Sequence, residues 1–153
     1  SNRPIDDTFN YAVCASASDV HFVGEGDPAV TGVLEFMAPS FIAGWHSNID
    51  KSALPKISCK PLSTILSESF LPRNQVIDFL SLDVEGAEYQ VIQTLDFSKH
   101  NFGVIFYEAD DHNPSKNEAM KTFLEANGYV FRLSASGSNW HVNSRWHEIY
   151  EDQ

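Results

Sequence analysis

The sequence predicts an α/β protein, and three observations support this class. Apolar runs typical of buried strands, at residues 79–82 and 104–107, alternate with segments whose apolar residues recur every three to four positions. The chain has 153 residues, of which 42% are hydrophobic, and this is enough to bury one core. It shows no internal repeat and no low-complexity tract. We therefore expect a single domain spanning residues 1–153.

Further strands and helices are predicted along the chain. Early strands are expected at residues 11–15 and 20–23, and a loop rich in Gly, Pro, Ser and Asn then extends to about Leu54. Because this loop is too long to be a simple connection, we expect it to have a function. The remaining elements are a strand at 57–60, a short helix through Leu62, Ile65 and Leu66, a helix at 115–126 with Ser115 and Glu118 spaced as a capping box, and a terminal hairpin of residues 129–133 and 147–150.

Acidic side chains follow the apolar strand at residues 79–82. Asp83, Glu85 and Glu88 surround Gly86, and apolar residues then recur at helical spacing. In open α/β sheets, ligands bind where strands end and helices begin. Asp83 is therefore predicted to face a ligand, and Gly86 permits the turn. The alternative is that Asp83 and Glu85 only cap the helix and favour its positive end.

The sequence around these acids also resembles a known family. The stretch Ile77-Asp-Phe-Leu-Ser-Leu-Asp-Val-Glu-Gly-Ala-Glu88, followed by Val91-Ile92 and Leu95-Asp-Phe97, resembles the central signature of FkbM-type methyltransferases. Shorter similarities occur in family order at Asn2-Arg-Pro4, Ala12-Val-Cys14, Gly32, residues 104–108 and Gly128-Tyr129. The resemblance implies a Rossmann-like class I methyltransferase sheet with a terminal antiparallel hairpin. It also implies S-adenosylmethionine as the cofactor and, as the methyl acceptor, a hydroxyl of a sugar or secondary metabolite.

One part of the family pattern is missing from the sequence. Methyltransferases of this class begin with a strand, a glycine-rich loop and a helix that hold the cofactor, and a second strand follows whose terminal acid binds the ribose. Only ten residues precede the first predicted strand, which is too few for this unit. We therefore expect the chain to be the carboxyl-terminal part of a methyltransferase domain, without the amino-terminal cofactor-binding strands. Its cofactor-binding residues stay unassigned.

The resemblance suggests roles for the acids at the strand ends. Methyl transfer to a hydroxyl needs the oxygen in line with the methyl carbon, and it gains from a base or a metal ion that removes the proton. We predict Asp83, Glu85 and Glu108 as catalytic residues, because Glu108 ends the strand that should lie beside the Asp83 loop. Carboxylate oxygens suit magnesium, calcium or manganese, so Asp83 and Glu85 are also predicted as ligands of a divalent metal.

Four other residues are predicted to bind the substrate. Asp110 and His112 lie in the polar loop after Glu108, and His112 has a pKa suited to proton transfer, although a histidine in a polar loop is more often only solvated. Trp45 and Trp140 fall in the two long predicted loops, where an aromatic ring can stack on a sugar or on adenine. The alternative for both tryptophans is that they anchor the loops on the core.

Composition excludes several function classes. The net charge of −11 opposes binding to nucleic acid or to an anionic membrane. No window approaches twenty apolar residues, and the amino terminus lacks the pattern of a secretion signal. Cys14 and Cys59 lack the spacing of a zinc site, and we expect reduced thiols in a cytoplasmic protein. The expected partner is a small-molecule or carbohydrate acceptor.

Two other functions are compatible with the sequence. Asp83-Val-Glu85 has the acid-x-acid form that nucleotide-sugar transferases use to hold a metal-bound diphosphate. The other alternative is a truncated methyltransferase that serves as a non-catalytic interaction module. Its missing strands would leave one side of the strand at residues 78–83 uncovered, and such edges pair with other chains. We therefore predict a homodimer or larger assembly that buries this side.

Overall fold

A computed structural model describes residues 9–24, 26, 30–69, 76–109 and 113–150. The elements follow in chain order as β1 (Ala12–Val13), β2 (Ser18–Val23), β3 (Gly32–Val33), α1 (Pro39–Trp45), β4 (Lys56–Lys60), α2 (Leu62–Glu68), β5 (Val76–Leu82), α3 (Glu88–Ile92), β6 (Asn101–Glu108), α4 (Pro114–Ala126), β7 (Tyr129–Ala135), β8 (Ser138–Asn143) and α5 (Trp146–Tyr150). The predicted α/β class is confirmed. No helix in this described part is long and apolar enough to cross a membrane.

The main sheet contains β5, β6, β8 and β7, in that order. β5 and β6 are parallel, whereas β8 is antiparallel to both β6 and β7. Leu82 pairs with Tyr107, so the carboxyl ends of β5 and β6 lie side by side, about 4.8 Å apart. The residue that follows Leu82 is Asp83, and the residue that follows Tyr107 is Glu108. The sheet therefore brings these two acids to one edge of the fold.

The core lies between this sheet and the helices α3 and α4. Ile92 of α3, Met120 and Leu124 of α4 and Ile105 of β6 are completely buried and belong to one cluster. Each such side chain contributes about 2 kcal/mol through burial. The apolar spacing in α3 and α4 thus serves packing, and it holds the helices against the strands whose ends carry the acids. His141 of β8 is also fully buried here, and burial lowers its pKa to about 4.

A second sheet, in the order β1, β4, β2 and β3, is built from strands within residues 12–60. Cys14 and Cys59 are joined in a disulfide, with their Cα atoms 5.7 Å apart. The expectation of two reduced thiols is therefore wrong. The two cysteines are 45 residues apart in sequence, but the pairing of β1 with β4 brings them together. Because strand pairing determines this distance, the spacing of the cysteines in the sequence does not reveal it.

The structure corrects the predicted terminal hairpin. Its second strand is Ser138–Asn143, whereas the predicted residues 147–150 lie in the helix α5. Ser136 and Gly137, with φ values of 51° and 76°, connect β7 and β8. Two successive positive φ values are typical of the tight turns that match the twist of a hairpin. The antiparallel hairpin is therefore present, but its turn comes earlier than the sequence analysis placed it.

Two further local predictions are wrong. The loop predicted to extend to Leu54 contains the helix α1, which has a proline at its first position. The helix α4 is not capped by Ser115 and Glu118. Instead, Asn113 accepts a hydrogen bond from the backbone N–H of Lys116 at 3.2 Å, and Pro114 begins the helix. Asparagine is as good an N-cap as serine, so both candidates were chemically reasonable.

Candidate functional site

The loop after β5 makes a sharp turn into α3. Glu85 has a φ of 52° and Gly86 a φ of 94°, so two consecutive residues are in the left-handed region. Glycine adopts this conformation without strain, whereas a residue with a side chain rarely does. The conformation of Glu85 is therefore held by its surroundings. This observation agrees with the predicted role of Gly86 in the turn.

The buried carboxylate of Glu88 holds this turn in place. Its Oε1 accepts hydrogen bonds from the backbone N–H groups of Val84 at 3.1 Å and Gly86 at 3.2 Å. Its Oε2 accepts a hydrogen bond from Nζ of Lys116 at 2.6 Å, and both side chains of this ion pair are almost completely buried. Glu88 thus connects the turn to the first residues of α4. Its role is structural, because all of these contacts are made within the protein.

Glu85 and Glu108 are the partly buried acids of the site. The pKa of Glu108 is raised by burial and then by the negative charges of Asp83, Glu88 and Glu85. The pKa of Glu85 is raised by burial and then by the charges of Asp83 and Glu88. The positive charge of Lys116 opposes both shifts but does not cancel them. Both carboxylates are therefore stronger bases than an exposed glutamate.

A cleft of about 630 Å³ lies beside these acids. Glu85, Gly86 and Gln90 contribute from the turn and α3, and Glu108 and Asn113 contribute from the segment after β6. The rest of the lining is formed by Phe36, Ala38, Ser40 and Phe41, which precede or begin α1. The cleft thus combines two carboxylates with apolar and aromatic side chains. A volume of this size is typical of small-molecule sites.

The structure brings the three predicted catalytic residues together. Glu85 and Glu108 line the cleft, and Asp83, which is exposed, interacts electrostatically with both of them. Among the described residues, no group of three or more His, Cys, Asp or Glu side chains has the arrangement of a metal site. Metal binding by Asp83 and Glu85 stays a prediction. The predicted substrate ligands Asp110 and His112 lie outside the described residues.

The two predicted aromatic ligands do not line the cleft. Trp45 is the last residue of α1 and is 64% exposed. Trp140 was expected in a loop, but it lies in β8, where its ring packs on Phe106 at 4.7 Å and on Phe79 at 5.9 Å. Trp140 is therefore part of an aromatic row on one face of the main sheet. Phe36 and Phe41 provide the aromatic surface next to the acids instead.

Lys116 is the most important residue that sequence reasoning did not identify. A lysine in the first turn of a helix is unfavourable, because the positive end of the helix dipole lies there. Lys116 follows soon after the end of β6, and an acidic cluster follows the end of the neighbouring strand β5. Together these features indicate a buried ion pair. The lining residues from α1 gave no comparable signal, because only the fold brings them to the acids.

Comparison with known proteins identifies a family for this chain. The model of the methyltransferase FkbM domain family matches residues 2–131. No curated protein and no solved structure gives a significant match. The family match covers most of the chain, including the turn at Asp83, the strand that ends at Glu108 and the helix α4. The chain therefore belongs to the FkbM methyltransferase family.

Proposed function

We propose that this protein functions in the S-adenosylmethionine-dependent transfer of a methyl group to a hydroxyl of a sugar or secondary metabolite, with the acceptor bound in the cleft beside Glu85 and Glu108. The observation that carries this proposal is the raised pKa of both carboxylates in a cleft of small-molecule size. Family membership supports the reaction class. The position at the carboxyl ends of parallel strands is where open α/β sheets bind ligands.

The cofactor itself does not fit the described residues. S-adenosylmethionine, when bound, supplies a methyl group activated by a sulfonium. In the described part of the chain, no strand leads through a glycine-rich loop into a helix. The turn between β5 and α3 contains one glycine, Gly86, and its other residues include the acids Asp83 and Glu85. We therefore assign no cofactor-binding residue.

The carboxylate of Glu108 can accept the proton of a hydroxyl group held in the cleft. A general base works best when its pKa is near the working pH, and burial and neighbouring negative charges raise the pKa of Glu108 in this direction. Loss of the proton to Glu108 leaves a lone pair on the acceptor oxygen free to form a new bond. Glu85, which also lines the cleft, can accept a hydrogen bond from the acceptor and orient it.

Methyl incorporation in an Asp83→Asn variant tests this proposal. The complete polypeptide that carries this sequence is incubated with isotopically labelled S-adenosylmethionine and a set of sugars and hydroxylated metabolites. We expect labelled, base-stable methyl ethers, and Asp83→Asn should lower their rate of formation roughly tenfold, because it removes a negative charge that raises the pKa of Glu85 and Glu108. The melting temperature should stay nearly constant, since Asp83 is exposed.

Glu148→Gln is the matched control, because Glu148 is an exposed acid of α5 that does not line the cleft. Its rate should equal that of the unmodified protein. A fall of several degrees in the melting temperature of Asp83→Asn with retained methylation would contradict the proposal, since it would show that Asp83 only stabilises the turn.

The alternative function as an interaction module is favoured by a different observation. β5 is the edge strand of the main sheet in the described part of the chain, and its Phe79 is 48% exposed. Antiparallel pairing with β5 of a second copy would satisfy the free backbone groups and place the two Phe79 rings opposite each other. Light scattering at micromolar concentration should then show a dimer without any cofactor. A monomer under these conditions would eliminate this alternative.

Two other expectations from the sequence are a nucleotide-sugar transferase function and a cytoplasmic location. A nucleotide-sugar transferase needs a metal beside its acid-x-acid motif, and the family match favours methyl transfer instead. A cytoplasmic location, which the sequence analysis expects, is not part of our proposal. The disulfide between Cys14 and Cys59 argues against it, because disulfides are rare in that compartment.

A further inference from the structure

The charged side chains that line the cleft in the described part of the chain are all negative. Glu85 and Glu108 belong to its lining, and Asp83 and Glu88 are close enough to raise the pKa of both. None of the lining residues in the described part of the chain is basic. The nearby cation, Lys116, is buried in its ion pair with Glu88 and is therefore committed to the protein. The wall of the cleft thus has excess negative charge that the described residues do not neutralise.

We propose that the acceptor carries a protonated amine near its reactive hydroxyl, as in an amino sugar or an amino alcohol. The inference rests on the proposed function, since it names the substrate class of the same cleft. A protonated amine placed between Glu85 and Glu108 supplies the positive charge that the wall lacks. The hydroxyl next to it can then donate its proton to Glu108.

The other lining residues of the cleft suit the same ligand. Phe36 and Phe41 offer aromatic surface to the carbon skeleton of the acceptor, and an aromatic face also attracts a cation. Ser40, Gln90 and Asn113 are polar and uncharged, so they can exchange hydrogen bonds with further hydroxyl groups. A phosphorylated or carboxylated acceptor would face the repulsion of the acids without a basic partner in this lining. The cleft is therefore expected to exclude anionic acceptors.

Binding of three matched polyols tests the charge preference directly. The probes are glucitol, its amine analogue glucamine and glucitol 6-phosphate, each titrated into the complete polypeptide at pH 7 and low salt and followed by ligand-observed NMR. Glucamine should bind at least about tenfold more tightly than glucitol, and the phosphate ester should bind more weakly than both. Added salt should reduce the difference.

Two variants test whether the acids of the cleft cause the preference for glucamine over glucitol. The double variant Glu85→Gln, Glu108→Gln should remove most of the advantage of glucamine, whereas Glu148→Gln should keep it. Glucitol binding in the double variant shows that the cleft is still folded. Equal binding of glucamine and glucitol, tighter binding of the phosphate ester, or an unchanged preference in the double variant would each overturn the inference.

Methyl transfer to the same probes separates this inference from the proposed function. If neutral hydroxyl acceptors are methylated as fast as amine-bearing ones, the substrate class is wrong and the methyltransferase function stands. If glucamine binds preferentially but no hydroxyl acceptor is methylated, the charge preference is supported and the proposed function fails.

Discussion

Replacing Glu88 by glutamine is expected to lower the free energy of unfolding by about 3–5 kcal/mol, the largest effect on stability that we expect in this chain. The change keeps the shape of the side chain, but it leaves the charge of Lys116 buried without its partner. It also weakens the acceptor of two backbone N–H groups in the turn, those of Val84 and Gly86. Urea unfolding monitored by circular dichroism measures the loss.

Glu85→Gln is the matched control, because the two glutamates are three residues apart on the same turn. The pKa of Glu85 is raised in the folded protein, so its charge reduces stability once the pH is above that pKa. Removal of this charge should leave the stability unchanged or increase it. The double variant Glu88→Gln, Lys116→Met should recover part of the loss, because no buried charge is left unpaired. Equal stability of Glu88→Gln and Glu85→Gln would show that the ion pair does not hold the turn.

The sequence allowed the central part of the fold and site to be predicted. A run of apolar residues before Asp83 and helical spacing after it define a strand, a turn and a helix, and these appear as β5 and α3. The position of Glu108 beside Asp83 followed from the rule that parallel strands end at the same edge of a sheet. Local periodicity and one topological rule were therefore enough to predict that these acids lie close together.

Other features depend on contacts between distant segments, and periodicity does not encode them. The disulfide needs β1 to pair with β4, and the cleft needs Phe36 and Phe41 to come together with the acids. The position of the hairpin turn was missed for a different reason. Ser136 and Gly137 indicate a turn. The residues after them, including Trp140 and His141, are too polar to be predicted as a strand.

Glu108→Gln is expected to lower the rate of methyl transfer by about 10²–10⁴-fold, the usual contribution of a general base. Glutamine has the size of glutamate but accepts no proton from the hydroxyl. The rate of the unmodified protein should fall on the acid side of its pH profile as Glu108 becomes protonated. The inflection should lie above 4.5, the ordinary value for glutamate, because the pKa of Glu108 is raised.

Glu108→Gln should lower the rate of methyl transfer without lowering the stability of the protein. Since the folded-state pKa of Glu108 is raised above its unfolded value, the group contributes most stability at low pH, and this contribution is lost as the pH rises through the folded pKa. At pH 7 the charge of Glu108 is therefore unfavourable for folding. Glu108→Gln should keep or raise the melting temperature, as expected for an acid that serves the reaction and not the fold.

The most direct test of our account is to measure the rate of methyl transfer and the melting temperature of Glu108→Gln on the same preparation at pH 7. Glu148→Gln provides the control for the loss of an exposed acid. We predict that methyl transfer falls by at least about 10²-fold while the melting temperature stays constant or rises. Retained methyl transfer together with a lower melting temperature would show that Glu108 stabilises the strand end, and that the cleft beside it is not where the acceptor loses its proton.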